Sequence, residues 1–88
     1  MPYYTYVIFS ESCQRFYKGH CENLELRLQE HNAGKTKSIK AFRPWKVVYH
    51  EMFQTRAEAI RREKYFKTAA GRRFLKGKIV IEKRLGGE

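Results

Sequence analysis

Three groups of residues have types and spacings suited to chemistry. Glu63 stands three residues from both Ile60 and Phe66 in "EAIRREKYF", residues 58 to 66, and on an α-helix positions so spaced share a face. On the 3.6-residue period Ala59, Ile60, Phe66 and Ala70 fall within about 60° of it, near the centre of the face that must meet the rest of the fold. A carboxylate there is either buried or lining a cleft. A helix rotated to bring Glu63 to its edge would instead pair it with Arg56 or Lys67 on the neighbouring turns. Arg27 and His31, four apart, flank the stripe of Leu24 and Leu28 and emerge beside an apolar face, at a cleft or at a solvated edge. The third group is basic. Lys35, Lys37, Lys40 and Arg43 lie in one segment, and Arg72, Arg73, Lys76 and Lys78 lie near the carboxyl end, where both sets suit contact with a phosphate backbone.

Composition narrows the partners. The 88 residues carry 19 lysines and arginines against 9 acids, a net charge of +10, which makes a polyanion such as nucleic acid the leading partner class. This length supports one domain with a modest core. All the acids are glutamates, and the absence of aspartate argues against a two-metal nuclease centre, which needs clustered carboxylates. Cys13 and Cys21 are too few and too irregularly spaced for a disulfide scaffold or a zinc site, so reduced thiols are expected, and His20 beside Cys21 with His31 beyond does not follow structural zinc spacing. No run approaches the roughly 18 apolar residues of a membrane helix, and "MPYYTYVIF" lacks the charged lead of a secretory signal, so a soluble cytoplasmic protein without membrane contact is expected. No helix-turn-helix, zinc-finger or RRM signature is present; weak sequence preference is expected unless a protein partner supplies it.

The elements that must position these residues follow from local signals. "YYTYVIF" (3 to 9) reads as a strand, "SESCQ" as a turn and "RFYKG" (15 to 19) as the returning arm of a hairpin. "NLELRLQEHNAG" reads as a short helix with Asn23 as N-cap and Gly34 just past its end. Residues 35 to 44 are basic, aperiodic and end in Pro44, so a loop is expected, followed by a third strand, "WKVVYHEMF" (45 to 53), with Trp45 as a core anchor. Thr55 and Glu58 form a capping-box pattern that starts a helix near residue 56. Gly71 suggests a break, with a last short helix in "RRFLKGK". One domain over 1 to 78 and a tail over 79 to 88 result. The order β-β-α-β-α-α points to an α+β fold: a three-stranded, mainly antiparallel sheet flanked by helices.

"TYV" at 5 to 7, "YKG" at 17 to 19, "NLELRLQEHNAGK", "RPWKVVY" and "EAIRREKYFK" together resemble a GIY-YIG domain, and most of all the small standalone bacterial members described as excinuclease C subunit-like or endonuclease-like. The resemblance runs from about Tyr4 to Phe74. Tyr6 matches the tyrosine of the first motif, with Tyr4 and Thr5 in place of its glycine and isoleucine; Tyr17 and Gly19 match the second, with Lys18 in place of isoleucine. Arg27 matches the catalytic arginine, His31 a histidine common in this branch, and Glu63 the single glutamate that binds the catalytic ion.

What the resemblance implies is an endonuclease that hydrolyses DNA with one Mg²⁺ or Mn²⁺. One glutamate suffices for a hard ion that keeps most of its waters. Tyr17 is then the first choice as base for the attacking water and Tyr6 the second, Arg27 meets the phosphate, and His31 protonates the leaving group or is itself the base. A basic nucleic-acid-binding module that keeps the fold without cleaving is the alternative. Lys18, alternating away from Tyr17, is expected to be solvated.

Overall fold

The computed structural model of the chain describes residues 2–79. The hairpin forms from aromatic and β-branched residues as β1 (Tyr3–Ser10) and β2 (Arg15–Cys21), and β3 spans Lys46–Phe53. The sheet order is β2-β1-β3 with both pairings antiparallel. The chain is therefore α+β, in the expected element order, with β2 at an edge of the sheet.

Alternation along the strands gives the sheet two buried faces. On one, Tyr6, Ile8 and Cys21 pack with Ile39 and Trp45, and with Leu24 and Leu28 of α1 (Leu24–Asn32). On the other, Val7 and Phe9 pack with Phe66 of α2 (Arg56–Phe66) and Leu75 of α3 (Ala69–Lys78). Helices thus cover both faces. A fully buried side chain of this size contributes roughly 1.5–3 kcal/mol, and Val7, Ile8 and Phe66 are wholly buried. β1 is central because its residues feed both clusters.

The caps form where local sequence places them. Asn23 accepts from the Leu26 N–H, Thr55 and Glu58 complete a capping box, and Gly34 has a φ of 84° just past α1. The loop from 35 to 44 holds one 3₁₀ turn, Lys40–Phe42. Trp45 is buried and its indole N–H donates to the Ile39 carbonyl at 3.2 Å.

Two expectations are corrected. The break after α2 falls at Lys67 and Thr68, not at Gly71, because the Thr68 hydroxyl accepts from the Gly71 N–H at 3.0 Å and so caps α3. Gly71 lies inside α3, where a Cβ would collide with the Tyr65 carbonyl; its role is close approach of two helix ends. As a result Ala70 belongs to α3 and is exposed, away from the Glu63 stripe. Ile79, the first residue of the expected tail, is buried in the cluster beneath α3; residues 80–88 lie outside the described residues.

Gly71→Ala should lower stability by about 1–3 kcal/mol through this collision, shifting Tm down by roughly 4–8 °C per kcal/mol for a domain of this size. Gly77→Ala, also in α3, meets nothing within 4 Å and should raise Tm slightly through the lower chain entropy of the unfolded state. Thermal melts followed by circular dichroism check both signs.

Candidate functional site

Tyr6 of β1 pairs across the sheet with Gly19 of β2. Its ring lies over Gly19 so closely that a Cβ there would sit 2.5 Å from the hydroxyl. The missing side chain lets the phenol reach His31 on α1, to which it is hydrogen-bonded at 2.7 Å. The other nitrogen of the His31 ring meets the Thr36 hydroxyl at 3.0 Å. His31 is therefore wholly buried, not at the solvated edge that its place beside the leucine stripe allowed. Burial, helped by the charge of Arg27, holds its pKa below the usual imidazole value, so the ring is neutral at pH 7 and one nitrogen donates while the other accepts.

Tyr17 packs edge-on against His31, with ring centroids 5.3 Å apart, and is only half-buried. Arg27, one turn before His31, donates to Glu30 at 2.9 Å and lies beside the Tyr6 hydroxyl. Burial pushes the Tyr6 phenol well above its ordinary range despite Arg27. The protonated phenol holds His31 through its hydroxyl. Four of the expected residues, Tyr6, Tyr17, Arg27 and His31, are thus together on one face of the sheet.

Glu63 is on the other face. It lies on α2, and its carboxylate accepts from Lys67 at 2.7 Å and meets the His20 Nδ1 at 2.7 Å. Burial opposes ionisation of this acid, but the hydrogen bonds from Lys67 and His20 outweigh it and lower the pKa, so Glu63 is a carboxylate at neutral pH. The ion pair with Lys67 is one of the two expected for a helix-edge position; the contact with His20 was not expected. His20 follows Gly19 directly. The two groups therefore approach the same stretch of the β2 edge from opposite faces, separated by the backbone at Gly19 and His20. His20 was weighed only as a zinc ligand, yet alternation from Tyr17 and Gly19 already turns it, with Lys18, toward α2.

Lys18 is not simply solvated. It is half-buried, and burial together with the charges of Arg72 and Lys67 lowers its pKa. Lys35, Lys37, Lys40, Arg72 and Arg73 are exposed; Arg43 is exposed but tied back, its Nε donating to the Lys40 carbonyl at 2.7 Å. Neither cysteine is in a disulfide, and burial pushes the Cys21 thiol up to about 11.

Among the described residues no group of three histidines, cysteines or acids could hold a metal ion. The donor set does fit a hard divalent ion that keeps most of its waters and needs one carboxylate. Glu63 is ionised, with His20 on one carboxylate oxygen and, on the other, a Lys67 head that is 54 % exposed.

This architecture is that of a small α+β domain on a three-stranded antiparallel sheet. The chain belongs to the GIY-YIG family of nucleases: residues 2–76 match the GIY-YIG catalytic domain. It is 40% identical over 83 residues to a UPF0213 protein of Staphylococcus haemolyticus, covering 93% of this chain and 96% of the relative. A UPF0213 protein of Bacillus licheniformis is 39% identical over 88 residues, covering 97% and 86%. The solution NMR structure of a UPF0213 protein from Bacillus halodurans shares the fold, with a TM-score of 0.52, 24% identity, and coverage of 88% of this chain and 84% of that one.

The buried neutral His31 makes stability pH-dependent. Its pKa in the fold lies below the unfolded value of about 6.5, so the unfolded chain binds the proton more readily. Stability is full above that value and is lost as pH falls through it. The Tm of the wild type should fall between about pH 7.5 and 5.5, above the range in which carboxylates titrate. His31→Gln should flatten the profile in that window; an unchanged slope would contradict the assignment.

Proposed function

We propose that the protein is a metal-dependent endonuclease that hydrolyses phosphodiester bonds in DNA, structured or branched DNA in particular, with one Mg²⁺ or Mn²⁺. The observation that carries this reading is the Glu63 carboxylate set against His20 at the β2 edge of a domain with a net charge of +10. A negative charge facing phosphate weakens binding, so binding alone gives this carboxylate no role toward the substrate.

Glu63 would hold the ion, which when bound neutralises developing phosphate charge and lowers the pKa of a water. Arg27 supplies a permanent planar cation for phosphate. Tyr17, the more accessible tyrosine, is the group suited to orient and deprotonate the attacking water, beside His31. His31, buried and neutral, keeps its orientation through Tyr6 and Thr36 and packs against the Tyr17 ring. His20 positions the Glu63 carboxylate. Lys35, Lys37 and Lys40, with Arg43, Arg72 and Arg73, meet the backbone of the substrate, and a protein partner would supply sequence preference. Action in the cytoplasm is part of the proposal; no helix among the described residues is long and apolar enough to cross a membrane.

A non-catalytic DNA-binding module is supported by one observation, the pairing of both Glu63 oxygens with His20 and Lys67. Cleavage separates the readings. Labelled linear, flapped and branched DNA are incubated with Mg²⁺, Mn²⁺ or chelator and either wild type or Glu63→Gln. Lewis-acid stabilisation contributes several kcal/mol and about 1.4 kcal/mol is tenfold in rate, so the variant should lose at least roughly a hundredfold in cleavage. DNA affinity in chelator should be unchanged or tighter. Cleavage at the wild-type rate, with a lower Tm, would make Glu63 structural only.

The basic loop has its own signature. Replacing Lys35, Lys37 and Lys40 by alanine should flatten the dependence of log affinity on log salt by up to about 2.7 units. Binding that ignores salt would remove the loop from the interface.

A further inference from the structure

On the Glu63 face, next to the proposed site, a pocket of about 240 Å³ opens between β2 and α3. Its floor is apolar, made of Val7, Phe16 and Leu75, and its rim is cationic, made of Lys18, Arg72 and Lys76. Phe16 is 45% exposed, with one side of its ring against Phe9 at a centroid distance of 4.7 Å. Among the described residues no carboxylate pairs with Lys18, Arg72 or Lys76; Glu63 is taken up by Lys67 and His20, and Arg72 donates to the Lys67 carbonyl at 2.8 Å. Burial of Lys18, and then the positive charges of Arg72 and Lys67 beside it, disfavour its charged form. An anionic ligand would relieve that repulsion. The floor asks for a flat apolar body as well, and a volume below the roughly 300 Å³ at which drug-sized sites begin admits only a small one.

We infer that this pocket takes a single unstacked base of a DNA strand against Phe16, with the adjoining phosphate on Lys18 and Arg72. The inference rests on the nuclease reading and adds a substrate class to it: DNA with a single-stranded segment beside the bond to be cut. Aromatic faces interleaved with cations are the common means of holding unpaired strands, since every base has a face to stack and every linkage a charge. A continuous duplex keeps its bases stacked and cannot fill the floor.

Anisotropy measurements in chelator, at one salt concentration, compare a short labelled oligothymidylate with a blunt duplex of the same length. Phe16→Leu keeps the apolar bulk and removes the ring; it should weaken strand binding by roughly fivefold to a hundredfold and leave duplex binding unchanged. Lys18→Gln, which leaves the floor intact, should weaken the strand more than the duplex. Equal losses on both probes, or none, for the two variants would overturn the pocket while leaving the nuclease reading standing. A wild type that binds neither probe would contradict both.

Discussion

The contact between the Tyr6 phenol and Gly19 governs the arrangement of one half of the site. Tyr6 sits on the central strand and would be walled off from α1 by any side chain at its cross-strand partner. With glycine there, the ring lies across β2 and its hydroxyl reaches His31 at 2.7 Å. That hydrogen bond, with the one from Thr36, allows an imidazole to be buried without an unpaired nitrogen. Tyr17 and Arg27 then take their places around His31. The burial that fixes Tyr6 also pushes its pKa up.

The other half depends on charge. Glu63 is half-buried among cations and remains ionised because Lys67 and His20 donate to it. Beside it, among the described residues, Lys18 and Arg72 pair with no carboxylate, Arg72 donating to the Lys67 carbonyl at 2.8 Å, and Lys67 is shared between the Glu63 carboxylate and the cationic cluster. The β2 edge thus has an aromatic and imidazole group on one face and a carboxylate within a positive field on the other.

Features set by neighbours in sequence were readable from the sequence, and those set by distant neighbours were not. Asn23, Thr55 and Glu58 cap their helices because a cap needs only its own turn. The apolar stripe of α2 placed Glu63 beside buried Ala59 and Phe66. Gly71 was misread because a glycine near a helix end signals a stop when seen alone; its real constraint is the Tyr65 carbonyl of another helix. Burial of His31 depends on Tyr6, 25 residues away, which no local pattern reveals. His20 and Lys18 were different. The period of two along β2 already turned both toward α2, but His20 was weighed only against zinc spacing and Lys18 only as a solvated lysine.

The central claim is that groups on opposite faces of the sheet act on one phosphate at the β2 edge. A double-mutant cycle on single-turnover cleavage tests it directly, with wild type, Tyr17→Phe, Glu63→Gln and the double variant on the same DNA in Mg²⁺. Residues that act as a unit are strongly non-additive. The double variant should therefore cleave about as slowly as the slower single variant. Losses that multiply would mean that Tyr17 and Glu63 work independently, and would contradict a single site at this edge.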